Sequence, residues 1–264
     1  MSGGSAPKIQ LRRDRLVVLA SLAGVTALAW CYLLWLARNM SGMPMDDMPG
    51  MDMAAMNFAA WTFAHFVFMF AMWTVMMVGM MLPSVAPTLL LYAGVARNSR
   101  AHPRPLAPVA WFAAGYVLAW CLFSLCATLM QWGLEALAQL TPMLRIESRR
   151  LGGAMLIGIG AYQWLPFKQA CLSNCRSPLS FIQNAGGFQA SVPGSIRLGL
   201  LHGLYCIGCC WALMLLLFVV GVMNLLWIAA LMIVVLLEKL LPSGPHVTRL
   251  LGTAALMAGV GFLL

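Results

Sequence analysis

Long apolar stretches dominate the chain, and polar residues fall mostly between them. The runs cover Leu16 to Leu36, Phe63 to about Tyr92, Ala107 to about Gln131, Leu151 to Leu165, Ile196 to Val220, Leu225 to Leu241 and Val247 to Leu264. A helix that crosses the hydrocarbon core of a bilayer needs roughly 20 apolar residues, because lipid offers its backbone N–H and C=O groups no partner. The pattern therefore predicts an all-α fold, a polytopic transmembrane helical bundle of about seven spans. Six spans is the alternative count, because the fourth run, LGGAMLIGIGAYQWLP, is short and glycine-rich and the last is short as well.

The connections are too short for a soluble domain. The chain is expected to be a single membrane domain over 1–264, with a Met-rich outer loop at 37–60 and a Cys-containing loop at 166–195. Pro83 and Pro87 lie inside the second run. Each removes a backbone donor and crowds the preceding turn, so a kink or break is expected there, either for packing or to line a cavity.

Composition supports this class: 62% of the residues are hydrophobic and 9% are charged. The net charge of +9 would suggest nucleic-acid binding in a soluble protein. Here no nucleic-acid partner is expected, because the basic residues lie between spans and follow the positive-inside rule. With the N-terminus cytoplasmic, twelve of the 16 Lys and Arg residues fall inside, leaving Arg38, Arg145, Arg149 and Arg150 outside. The first run is too long for a signal-peptide core and has no clear small-x-small cleavage site before Asn39, so it is expected to remain as an anchor.

The chain has 21 methionines and eight cysteines, and they are clustered. In MSGMPMDDMPGMDMAAM, Met40, Met43, Met45, Met48, Met51, Met53 and Met56 fall among Asp46, Asp47 and Asp52. Prolines and glycines make a packed helix there a poor expectation. Thioethers are soft, uncharged ligands that suit Cu(I) on the oxidising side of a membrane; adhesion to the membrane surface is the alternative. His65, Met69, Met72, Met76 and Met80 follow at helical spacing, with Met77 and Met81 widening the stripe. That face is either a metal relay or ordinary packing, for which methionine is well suited.

The segment KQACLSNCRSP sets Cys171 and Cys175 four residues apart. On a helix they share a face and could bind one ion; in extended chain they could form a disulfide. On a cytoplasmic loop the thiolate metal site is the better expectation, with Lys168 and Arg176 flanking the pair and favouring the thiolates.

HGLYCIGCCW brings His202, Cys206, Cys209 and Cys210 onto one broad helix face. His202 and Cys210 would lie roughly 12 Å apart along the axis, too far for one ion. Cys206 with Cys209 or Cys210, or His202 with Cys206, are the available pairs. Neither closes a site alone, and Cys171 and Cys175 are the expected partners. Cys31, Cys121 and Cys126 are expected to be plain packing. Gly203 and Gly208 would let a neighbouring helix approach. Glu238 and Lys239, at the end of the sixth run, are expected to snorkel to the interface, with a buried Glu238 as proton carrier or hard ligand the lesser alternative.

WTVMMVGMMLPSVAPTLLLY, YQWLPFKQACLSNCRSPLSFI and RLGLLHGLYCIGCCWALMLLLFVVGVMNLLWIAALMIVVLLEKLLP together resemble a bacterial family of predicted metal-binding integral membrane proteins, a domain of unknown function. The resemblance covers roughly residues 60 to 245 and marks Cys171, Cys175, His202, Cys206, Cys209 and Cys210 as motif positions. It implies a multi-pass helical protein of the bacterial inner (plasma) membrane with a metal site, and no established activity.

Copper is the expected metal on ligand chemistry, with zinc the alternative. The leading function is copper handling: capture by the Met-rich loop, passage along the stripe, and retention by the Cys/His cluster for transport or delivery. The expected partners are the lipid bilayer and a membrane cuproenzyme or other membrane subunits. An accessory subunit with a structural metal site is one alternative. A membrane thiol oxidoreductase using Cys171 with Cys175 and Cys206 with Cys209 is another. No nucleotide-binding or phosphorylation motif supports active pumping, and no catalytic constellation is recognised.

Overall fold

The computed structural model describes residues 6–41, 61–98, 107–141, 144–241 and 244–264. These form α1 (Ala6–Ser41), α2 (Phe63–Asn98), α3 (Val109–Ala136), α4 (Arg149–Trp164), α5 (Pro166–Arg176), α6 (Pro178–Asn184), α7 (Val192–Val220), α8 (Leu225–Leu240) and α9 (Gly244–Leu263). The architecture is all-helical, and no strand occurs among the described residues.

Five helices are long and apolar enough to cross a membrane, over Arg15–Arg38, Phe63–Ala96, Val109–Ala136, Val192–Val220 and Gly244–Leu263. The fourth and sixth apolar runs form α4 and α8, each of 16 residues. Each rises only about 24 Å, less than the ~30 Å hydrocarbon core. The exposed apolar residues fall on helix faces, as lipid contact would require: Leu118, Leu122, Leu125 and Leu129 line one side of α3. Phe112, Tyr116 and Trp120 are buried on the other.

Local sequence sets the ends. Ser148, Ser191 and Asn224 cap α4, α7 and α8 by accepting from the backbone N–H groups of Leu151, Gly194 and Trp227, each satisfying a donor that a helix start leaves free. Pro166 and Pro178 open α5 and α6, where a missing N–H removes nothing. The break expected at Pro83 and Pro87 is absent, since α2 is helical through both.

Central to the bundle is α7, which packs on α3, α4, α5 and α8. Close approach to α3 depends on glycine: a Cβ on Gly199 would collide with the Phe112 carbonyl, and one on Gly115 with the Ile196 carbonyl. The α4–α9 pair is equally tight, with Gly160 against the Gly252 carbonyl at 2.8 Å from a built Cβ. Gly199→Val should therefore force α3 from α7, destabilising the protein by about 1–3 kcal/mol or more. A lower midpoint in thermal unfolding of the detergent-solubilised chain checks this.

Candidate metal centre

The cysteines expected in a loop lie on a helix. The Leu165–Pro166 step ends α4 and begins α5 at once, turning the chain back onto α7. Spacing of four then puts Cys171 and Cys175 on one side of α5, the side facing α7; Cys171 is buried and Cys175 half-buried. Gly208 of α7 receives this helix, since its missing Cβ would sit 2.7 Å from the Cys171 sulfur. Tyr162 donates to the Gly208 carbonyl and fixes α4 to the same turn.

Cys175 Sγ stands 4.0 Å from Cys209 Sγ. Two metal–sulfur bonds of about 2.3 Å, at angles from tetrahedral to linear, separate their sulfurs by about 3.8–4.6 Å, so this pair is already at ligand spacing. Cys206 is also in electrostatic reach of Cys175. Cys209 and Cys210 both turn their S–H groups onto the Cys206 carbonyl, at 3.0 and 2.9 Å. Among the described residues, no three His, Cys, Asp or Glu side chains are grouped as ligands of one ion. The arrangement offers a two-sulfur pair rather than a closed four-ligand cage.

His202 lies one helical turn before Cys206 on α7. Its Nε2 lies 3.5 Å from Thr88 Oγ1, its ring packs among Phe112, Tyr116 and Phe181, and its buried Nδ1 has no hydrogen-bond partner. The α2 methionines Met72, Met76, Met77, Met80 and Met81 are all buried in the core. Met69 is half-buried and its sulfur accepts from Gln131 at 3.6 Å, while His65 is exposed beside Trp61. Met43 to Met56 fall outside the described residues, and α1 extends over the first residues of the expected 37–60 loop.

Two adjacent residues depart from expectation. Glu238 and Lys239 do not snorkel: they are 1% and 7% exposed. The short α8 ends inside the bundle, against α2, α5 and α7, so its terminal charges meet protein instead of the interface. Lys239 Nζ donates to Cys206 Sγ at 2.8 Å and to Ser84 Oγ at 3.0 Å. Ser84 donates to the Met81 carbonyl, as does Tyr116, and the Tyr116 hydroxyl lies 3.1 Å from Cys206 Sγ. These contacts close a buried polar ring across α2, α3, α7 and α8.

Glu238 belongs to a second network. Lys168, wholly buried, donates to both Glu238 oxygens at 2.8 and 3.0 Å and also to Gln163. Thr248 donates to Glu238 at 2.9 Å. Lys168 thus serves Glu238 and not the cysteines it flanks in sequence; Arg176 donates to the Leu241 carbonyl. The ammonium facing the sulfurs is Lys239, a residue the sequence pattern assigned to the membrane surface.

A family of copper chaperones, PpoB2, matches residues 70–262. The chain belongs to that family. No curated protein and no solved structure matches it. The match takes in α5, α7 and α8 with all of the cysteine cluster and Lys239, and begins after His65 and Met69. The family match thus includes every helix that contains a buried sulfur of the cysteine cluster.

Proposed function

We propose that this chaperone is a multi-pass protein of the bacterial inner membrane that holds one Cu(I) between Cys175 and Cys209 and hands it to a membrane cuproenzyme. The observation that carries the reading is the 4.0 Å separation of the two sulfurs across the α5–α7 contact, in a chain of a copper-chaperone family. Soft thiolates select Cu(I), and two of them suffice for it. Zinc, which takes four protein ligands in structural sites, would find no such set grouped among the described residues.

In this reading Cys206, one turn before Cys209 and Cys210, is the exchange partner that receives or releases the ion. The methionines buried along α2, Met72, Met76, Met77, Met80 and Met81, are the thioethers that lead to the cysteines in this reading. Thioethers bind Cu(I) without losing a proton and more weakly than thiolates, so transfer toward the cysteines runs downhill. The Met-rich segment 40–56 is the outer capture site, Cys171 packs the pair against Gly208, and His202 steadies the α7 face behind it. A delivery role needs no catalytic residue and no nucleotide.

The test is the metal content of the full chain purified in mild detergent under reducing conditions. One copper per chain is expected to survive a Cu(I)-selective chelator that strips thioether sites, and Cys175→Ser with Cys209→Ser should lose it. No copper in the intact protein, or equal copper in the variant, defeats the assignment.

A further inference from the structure

We infer that the seam between α4 and α7 binds one anionic phospholipid, with Arg145 and Arg149 on its headgroup phosphate and an acyl chain in the trough over Gly158. The cysteines take no part in it.

Two cavities follow one another along that seam. The first, of about 270 Å³, lies at the edge of the bundle where α3 and α7 end and α4 begins; Thr141, Arg145, Ser148 and Arg149 line its polar side, and Val219 and Phe262 its apolar side. The second, of about 290 Å³, begins one turn deeper on both helices, at Met155 and Leu215, and reaches Leu165 and Trp211. From Met155 to Leu165 the chain rises about 15 Å. That is half of the ~30 Å hydrocarbon core, the depth of one leaflet.

The lining changes along the seam as a lipid does along its length. Arg145 and Arg149 are exposed and have no ionic partner among the described residues; Glu147 is the one acid on the same lining. Thr141 Oγ1 and Ser148 Oγ accept the backbone N–H groups of Arg145 and Leu151, so each hydroxyl keeps its proton to donate. Two guanidinium forks and two hydroxyls suit a phosphate diester. In the deeper cavity the Tyr162 hydroxyl is already satisfied by the Gly208 carbonyl, and the other lining side chains are apolar apart from the Trp211 indole N–H. Space is kept open at Gly158, where a Cβ would meet nothing within 4 Å. A soluble anion needs only the upper cavity and a neutral hydrocarbon only the lower. Their alignment selects a molecule with both parts.

For the test, the full chain in mild detergent is mixed with equimolar phosphatidylglycerol and phosphatidylethanolamine carrying the same acyl chains, and retained lipid is counted by native mass spectrometry. One phosphatidylglycerol per chain should be retained, preferred about tenfold or more, since each arginine near the surface favours an anionic headgroup. Arg145→Gln with Arg149→Gln should erase the preference, and Glu147→Gln should increase it. Gly158→Phe fills the trough from an exposed helix position, so it should lose both lipids while keeping the wild-type thermal midpoint in lipid-free detergent. Inorganic phosphate at the lipid concentration should displace nothing; displacement would reduce the seam to an anion site and overturn the inference. Equal retention of the two lipids by wild type, an unchanged preference in the double arginine variant, or lipid still held by Gly158→Phe would overturn it as well. Retention of neither lipid also overturns it and leaves the arginine rim to a protein partner.

Discussion

Lys168→Met is expected to destabilise the protein by about 3–5 kcal/mol, the usual consequence of stripping one partner from a buried ion pair. Lys168 and Glu238 are 0% and 1% exposed, and the pair joins α5 to α8, with Gln163 of α4 and Thr248 of α9 completing the network. After the substitution the Glu238 carboxylate keeps only the Thr248 hydroxyl. Lys168→Met combined with Glu238→Leu should recover most of the loss, because an apolar pair of similar volume removes the stranded charge. Urea or SDS unfolding in detergent, followed by tryptophan fluorescence, measures both. A double variant no more stable than the single would show that the pair acts through packing and not through charge.

Cys206→Ala should have a comparable effect on stability and a second one on metal. It leaves the buried Lys239 ammonium with the Ser84 hydroxyl alone, which predicts a loss of about 3 kcal/mol, the cost of removing a hydrogen-bond partner from a buried charged group. Lys239→Met in the same chain should restore part of it. On the chaperone reading, Cys206→Ala still binds Cu(I) at Cys175 and Cys209 but exchanges it slowly with an external thiolate acceptor, so transfer kinetics separate this variant from Cys175→Ser. Exchange at the wild-type rate would remove Cys206 from the transfer route.

The two buried lysines show where sequence reasoning stopped. Lys168 is three residues from Cys171, and adjacency suggested a charge for the cysteines. On α5, however, residues 168 and 171 point far enough apart for Lys168 to reach Glu238, 70 residues away. Lys239 ended an apolar run next to an acid, the ordinary pattern of an interfacial helix end. Nothing local distinguishes that pattern from a helix end buried in protein; the difference lies in the length of α8, 16 residues, and in what it abuts. A stronger signal was available: a helix too short to span has less reason to end at the interface.

For the cysteines the sequence went further. Spacing of four at 171 and 175, and of three and four after 206, required common helix faces, and the axial rise within α7 ruled out a single-ion site on that helix alone. It also pointed to α5 as the partner. It named pairs within α7 that Cys171 or Cys175 would have to complete; the structure sets Cys175 Sγ 4.0 Å from Cys209 Sγ, and Cys209 and Cys210 turn their S–H groups onto the Cys206 carbonyl. His202 shares the cysteines' helix by spacing, and what the sequence did not show is the setting of its ring among aromatic residues from α3 and α6.

By itself the sequence determined what depends on neighbouring residues: the all-helical class from apolar runs, the helix starts from Ser, Asn and Pro, and the faces on which sulfur accumulates. Only the tertiary structure decided which charge neutralises which. A buried ion pair is set by the contact of helices distant in the chain, as between Lys168 and Glu238 across 70 residues, and hydropathy along the chain contains no record of that contact. The apolar surroundings then give the pairing its weight, since an unpaired charge there has neither water nor counter-ion to replace its partner.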